Sequence, residues 1–286
     1  MEIASGLQIL QETDSLKVQE LFSTHPALQM SIRIKPDGIS FLTVSHSQRK
    51  VLYYRNFAVD NTPVKIKLLE KAILNEQPYL LYAEAIKWSF YAEQFTIVPE
   101  SLYDAKLNYY YLNYTCDVKE NELIAAVYSD VVKAYFVFGI DNQLNEFITK
   151  YSPTRFKLAN VTVADRLLRM QEITGLGVYV DLLKDGFFIL IGNKGRLMLY
   201  NFFKKETPED VAYHVLFCME QFGLNPEKIP VYLSGFVSEG DPNHKILSKF
   251  IKNCEFSALP KGVDFHPLAG DKSLHHIAFT QIIELL

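Results

Sequence analysis

Residues 182–203 read LLKDGFFILIGNKGRLMLYNFF, and residues 34–57 read IKPDGISFLTVSHSQRKVLYYRNF. Each stretch has an Asp-Gly pair, an apolar run, a short polar turn and a second apolar run. Upstream of the earlier one, Met30, Ile32 and Ile34 alternate with Ser31, Arg33 and Lys35, the period of a half-buried strand. Asp37-Gly38 and Asp185-Gly186 supply the backbone freedom that a tight hairpin needs. Both stretches therefore predict a three-stranded meander, over residues 30–59 and 177–203.

The two meanders align. Asp37-Gly38 falls on Asp185-Gly186 at an offset of 148 (37 to 185), and Leu42 falls on Leu190 at the same offset. A shorter second turn brings Tyr54 onto Tyr200 and then Thr62-Pro63 onto Thr207-Pro208. Thr followed by Pro reads as an N-cap and first helical position, so a helix is expected after each meander, over residues 64–74 and 208–222. A period this long marks a duplicated domain rather than a solenoid.

Between and beyond these blocks the pattern predicts a strand over residues 85–98. A short helix and an irregular Tyr-rich connection follow over residues 100–120. Residues 123–140 read as strand with a turn at Ser129-Asp130, residues 142–151 as helix, 156–160 as strand and 163–172 as helix. After the second meander and its helix come a strand at 230–233, a helix at 243–251, a short strand at 255–257 and a last element at 277–286. Residues 1–24 are polar with scattered apolar positions and predict a strand or short helix.

A meander followed by helix, strand, helix and strand is the order of a ribonuclease H-like domain. The fold expectation is α/β: two tandem ribonuclease H-like domains, residues 1–174 with the Tyr-rich insertion and residues 175–286, in an actin-like ATPase arrangement with an interdomain cleft. Residues 96–103 (TIVPESLY), 199–203 (LYNFF) and 230–235 (PVYLSG) carry a more specific likeness. On these stretches the chain resembles a bacterial family of unknown function with an actin-like ATPase fold. It is more distantly similar to cytoplasmic actin-like proteins of pilus and secretion assembly.

The resemblance implies two phosphate-binding hairpins facing each other across the cleft, each with an Asp on its first strand to order a metal and small residues at the turn. The first hairpin here has Arg33 and Lys35 but no Asp, and Pro36 removes an N–H donor. The second keeps Asp181, with Leu183 where glycine is expected. The adenosine segment has Ser234 and a single Gly235 followed by Phe236. The candidate nucleotide or anion cleft is therefore Asp181, Asp185, Gly186, Arg33, Lys35, Ser234 and Gly235, with Lys184 beside it. These departures favour a non-catalytic binding or scaffold protein with no cofactor. The alternative is an ATPase of divergent motifs that uses Mg-ATP, with Asp181 at the metal and Gly235 near the base.

With 49% hydrophobic and 22% charged residues the chain is expected to build packed cores. Its net charge of −4 disfavours a general nucleic-acid partner. The opening residues carry no basic stretch ahead of a long apolar one, so no signal peptide is expected, and no apolar run is long enough to span a membrane. Cys116, Cys218 and Cys254 are too few and too scattered for a disulfide framework or a zinc site, so a cytoplasmic location is expected. Adjacent His275 and His276, even with His266, do not make a metal site, and a surface position is expected for them. Residues 192–195 (GNKG) are a hairpin turn, without the Lys-Ser/Thr and helix of a phosphate loop. Tyr109, Tyr110, Tyr111 and Tyr114 form the segment richest in contact-prone residues. They are either an interface for a protein partner or the cover of a seam between the two domains.

Overall fold

From its amino end the chain forms α1 (Ser15–Ser23), β1 (Leu28–Lys35), β2 (Gly38–Ser45), β3 (Lys50–Ala58), α2 (Lys65–Leu80), β4 (Ala85–Phe90) and β5 (Phe95–Pro99). It continues through α3 (Asn108–Asn113), β6 (Glu122–Ser129), β7 (Ala134–Asp141), α4 (Asn142–Tyr151), β8 (Lys157–Leu158) and α5 (Ala159–Thr174). The second half holds β9 (Leu176–Leu182), β10 (Gly186–Asn193), β11 (Arg196–Lys204), α6 (Pro208–Gln221), β12 (Val231–Gly235), α7 (Pro242–Phe250), β13 (Cys254–Phe256), β14 (Asp264–Phe265) and α8 (Phe279–Leu285). This computed structural model describes residues 15–25, 27–59, 64–152, 156–266 and 272–285. The cap expected at Thr62-Pro63 and residues 1–14 lie outside the described residues.

The duplication holds at the level of single ladder pairs. One sheet has the order β14-β3-β2-β1-β4-β8 and another β11-β10-β9-β12-β13, so the same core order of meander plus two further strands occurs twice. In each, the first three strands are antiparallel and the fourth and fifth run parallel to the first. Leu42 pairs with Tyr54 in one sheet and Leu190 with Tyr200 in the other. The register slips between Thr43 and Val44 on β2, and between Ile191 and Gly192 on β10, the aligned place. A bulge inserts one residue and twists the strand; here Leu52 and Met198 are the residues passed over. The hairpins close alike as well: Val59 N–H donates to Asp37 O at 2.8 Å, and Lys205 N–H to Asp185 O at 3.2 Å. Gly38 has φ +148°, and a Cβ there would stand 2.0 Å from Phe57 O, so only glycine fits.

Two compact units divide the described residues. One takes those of Met1–Tyr91, Asn142–Ala159 and Leu259–Leu286; the other takes those of Ala92–Asp141 and Asn160–Ala258. Along the sequence the chain changes unit four times. The predicted single strand over 85–98 is two: β4 stays in the first unit's sheet, and β5 joins the small sheet β5-β7-β6 of the second. Asn160, fully buried, fixes the far side of this break by accepting from Ala92 N–H at 2.8 Å and donating to Ala92 O at 2.9 Å.

In the first unit, β1 is buried on both faces, not half-buried. Its apolar face carries Met30, Ile32 and Ile34. Ser31 and Arg33 on the other face are also buried, because the polar side of α8 covers them: Gln281 Nε2 donates to Ser31 O and Oγ at 3.1 Å each, and Ser40 Oγ donates to Gln281 Oε1 at 2.8 Å. Buried Glu76 of α2 accepts from Tyr53 O–H at 2.6 Å and from Arg55 at 3.1 Å. Burial raises the Glu76 carboxyl above its usual range even so.

In the second unit, β9, β10 and β12 pack Val178, Val180, Phe187, Ile189 and Leu233 against Val211, Val215 and Met219 of α6. The small sheet joins this body through Phe95, whose ring lies 5.2 Å from Tyr200, 6.3 Å from Phe136 and 6.3 Å from Phe188. Thr207 opens α6 with a capping box. Its side chain accepts from Asp210 N–H at 3.3 Å, while Asp210 Oδ2 accepts from Thr207 N–H at 2.8 Å. Thr207→Ala should cost about 1 kcal/mol, seen as a lower denaturant midpoint at constant slope. An unchanged midpoint would mean the cap contributes nothing.

Candidate functional site

The two aligned hairpins place different chemistry at the same strand position. In the second unit, Asp181 on β9 stands beside Ser234 on β12, and Ser234 Oγ donates to Asp181 Oδ1 at 2.9 Å. Gly235 follows with φ +80°. A Cβ there would meet Leu182 O at 2.1 Å and Asp181 Oδ1 at 2.7 Å, so the end of β12 lies against β9 as only glycine allows. Phe236 N–H donates to Leu182 O at 2.6 Å. Asp181, Ser234 and Gly235 thus sit together at the carboxyl ends of two parallel strands, where open α/β sheets place ligands.

In the first unit the position aligned with Asp181 is Arg33, and the one aligned with Ser234 is Ser89; the two are ladder partners as well. Arg33 is 1% exposed. Its guanidinium donates to Thr280 Oγ1 at 2.8 Å, to Thr280 O at 2.9 Å and to Glu284 Oε2. It also lies 5.4 Å from the centroid of the Tyr91 ring. Ser89 Oγ donates to the same Glu284 oxygen at 3.1 Å. Arg33, expected at the mouth of an anion cleft, is instead a structural cation held by a carboxylate of its own chain. Lys35 Nζ lies 3.5 Å from Asp37 Oδ1.

In the first hairpin Lys35 pairs with Gly38, leaving Pro36-Asp37 as the loop, and Lys65 Nζ donates to Pro36 O at 3.0 Å. In the second, Leu183 N–H donates to Gly186 O at 2.8 Å, leaving exposed Lys184 and Asp185 as the loop. Leu182 and Leu183 are buried. Leu182 ends β9 and Leu183 follows it, with the two-residue loop just beyond. Of the two strand aspartates that the resemblance implies for a metal-bound nucleoside triphosphate, the second unit has Asp181. The first unit does not fit it: a buried, ion-paired arginine stands at the strand position, and Pro36 has no N–H to offer.

The tyrosine segment divides in two. Leu112 of α3 is buried with Val98 and Val137, and Tyr103, Tyr111, Ile124 and Ala126 pack around them. Tyr111 O–H donates to Leu102 O at 2.6 Å, and its ring stacks 6.2 Å from Tyr103. On the same small sheet Tyr128 O–H donates to Glu100 at 2.7 Å, a bond to a carboxylate that pushes the phenol up to about 12. Tyr109, Tyr110 and Tyr114 are 49%, 67% and 92% exposed. The amphipathic spacing of α3 could have separated them from Tyr111, since Leu112 and Tyr111 mark the inner side.

His276 is buried, against the surface position expected for it, and its ring lies 6.0 Å from that of His275. Among the described residues no group of three or more His, Cys, Asp or Glu side chains could hold a metal ion. None of their helices is long and apolar enough to cross a membrane. Cys218 is buried in the α6 core, and burial pushes its thiol up to about 11.

The chain belongs to the DUF3822 family, proteins of unknown function, whose profile matches residues 20–254. No curated protein matches it in sequence. Among solved structures it is similar to a Bacteroides thetaiotaomicron protein with actin-like ATPase fold and unknown function. The two share 21% identity over 93% of this chain and 98% of that one, with a TM-score of 0.70. It is also similar to a chain of the PilM–PilN type IV pilus biogenesis complex, at 10% identity over 91% of this chain and 96% of that one, with a TM-score of 0.61. The fold is that of the actin-like ATPases.

Proposed function

We propose that this DUF3822 protein is a non-catalytic, actin-like-fold protein of the bacterial cytoplasm that acts by binding other proteins. The observation that carries the reading is Arg33. An ATPase of this fold needs a carboxylate in each repeat, and here the first repeat has a buried arginine neutralised by Glu284. Pro36 removes a phosphate-facing donor from the adjoining loop. Exposed Tyr109, Tyr110 and Tyr114 supply the surface for a protein partner, and a fold neighbour is known from a complex of two proteins, PilM and PilN.

One observation favours a second reading. Asp181, Ser234 and Gly235 are still assembled at the strand ends, and they could order Mg-ATP with a divergent first hairpin. A melting experiment with Mg-ATP separates the two. At about 100 times its dissociation constant a ligand adds about 2.7 kcal/mol, which moves the midpoint of a protein this size by roughly 5–10 °C. The expected result is no shift. A shift abolished by Asp181→Ala would establish nucleotide binding at Asp181 and favour the second reading.

A further inference from the structure

We infer that the protein associates with a second copy of itself through β6, joining two small sheets into one six-stranded antiparallel sheet about a twofold axis at Ala125. The inference stands whether or not nucleotide binds.

β6 ends the order β5-β7-β6, and among the described residues no strand pairs with its outer side. An open edge is a template for another strand, and proteins usually guard it with Lys, Pro, a bulge or a very short strand. β6 has none of these. It is eight residues long, reads ELIAAVYS, and pairs with β7 in unbroken register from Glu122 to Ser129. Its one charge is at its first residue. Leu123 is 45% exposed, and residues 124–128 are half-buried. Both faces of the sheet are already occupied: Ile124 and Ala126 pack towards Leu112 of α3, and Phe136 and Phe138, the ladder partners of Val127 and Ala125, are buried on the other side. Only the lateral edge is left.

Its sequence decides the occupant. A twofold perpendicular to the sheet pairs residues of the same face, so the axis must pass through a residue rather than between two. With Ala125 on the axis, Leu123 meets Val127 of the second copy, Ile124 meets Ala126, and Glu122 meets Tyr128. Every aliphatic side chain faces an aliphatic one, and no like charges meet within the strands. Moving the axis to Ala126 sets Glu122 against Asp130 and Leu123 against Ser129. The small alanines at the centre let the backbones close without steric conflict, and the exposed Leu123 gains its cover. The same axis leaves α3 of both copies on one side of the joined sheet, so their tyrosines line a single surface.

Light scattering at about 1 µM and about 100 µM, a range that brackets moderate association, should show a species of twice the monomer mass rising with concentration. Val127→Lys should abolish it while leaving the circular dichroism and the melting transition in place. Ala125→Cys should form an intermolecular disulfide on mild oxidation, because directly opposed residues place their Cα atoms within the 4.4–6.8 Å that a disulfide spans. Ala126→Cys and the parent chain, with Cys116, Cys218 and Cys254, should not. A monomer at both concentrations overturns the inference, including one in which a strand of a different protein takes the edge. So does a dimer indifferent to Val127→Lys, or cross-linking at position 126 in preference to 125. If Val127→Lys fails to fold, the cysteine pair alone decides.

Discussion

Glu284→Ala is expected to lower stability by about 3–5 kcal/mol, the cost of removing one partner from a buried ion pair. Arg33 and Glu284 side chains are 2% and 6% exposed, so water cannot replace the lost carboxylate. The guanidinium would keep its bonds to Thr280 but lose the carboxylate that pairs its charge between sheet and helix. Ser89 would lose its acceptor at the same time. The measurement is a denaturant titration, with the midpoint falling and the slope held. Replacing both partners by apolar residues, Arg33→Met with Glu284→Leu, should recover most of the loss, because no charge is then left buried. A single-variant cost below about 1 kcal/mol would put the pair in the class of solvated surface bridges and remove the argument that Arg33 is a structural cation.

Phe95→Ala should have an effect of similar size, about 3–5 kcal/mol for a buried aromatic truncated to a methyl. Stacked on Phe136 within the small sheet, its ring joins that sheet to β10 and β11 through Phe188 and Tyr200. The loss should be uneven. Amide exchange should speed up first in β5, β6 and β7, because those strands depend on this cluster for their attachment, while β9 and β12 keep protection through the α6 core. Uniform acceleration across the second unit would show that the small sheet does not open as a separate part. Protection unchanged everywhere would mean that the cluster bears little of the load.

Much of the fold could be read because its signals are local. Alternation of period two, Asp-Gly pairs and Thr207-Pro208 mark elements within a few residues of themselves, and the repeat adds a second copy of each signal. The misreadings share a cause in distance. Ser31 and Arg33 look solvent-facing by alternation, and what covers them is the Thr280–Glu284 stretch, 247–251 residues away from Arg33. Residues 85–98 read as one apolar strand because the pin at the break, Asn160, is 68 positions from Ala92. The candidate site divides the same way. Asp181 and Ser234 are neighbours only through the parallel pairing of β9 and β12, strands that a whole helix separates in sequence. That Arg33 is closed off by Glu284 had no counterpart in the pattern at all.

That long reach has a consequence for how the protein comes into being. Chains are made from the amino end at about 5–20 residues per second, so the 251 positions between Arg33 and Glu284 take roughly 13–50 s to synthesise. The meander of the first repeat can pair as soon as β3 emerges, since its contacts are close in sequence and close quickly. Its polar face has to wait. Through that interval the nascent sheet carries an arginine and a row of serines where the finished protein has a sealed interior, and its last layer is laid down only after the entire second repeat has been made.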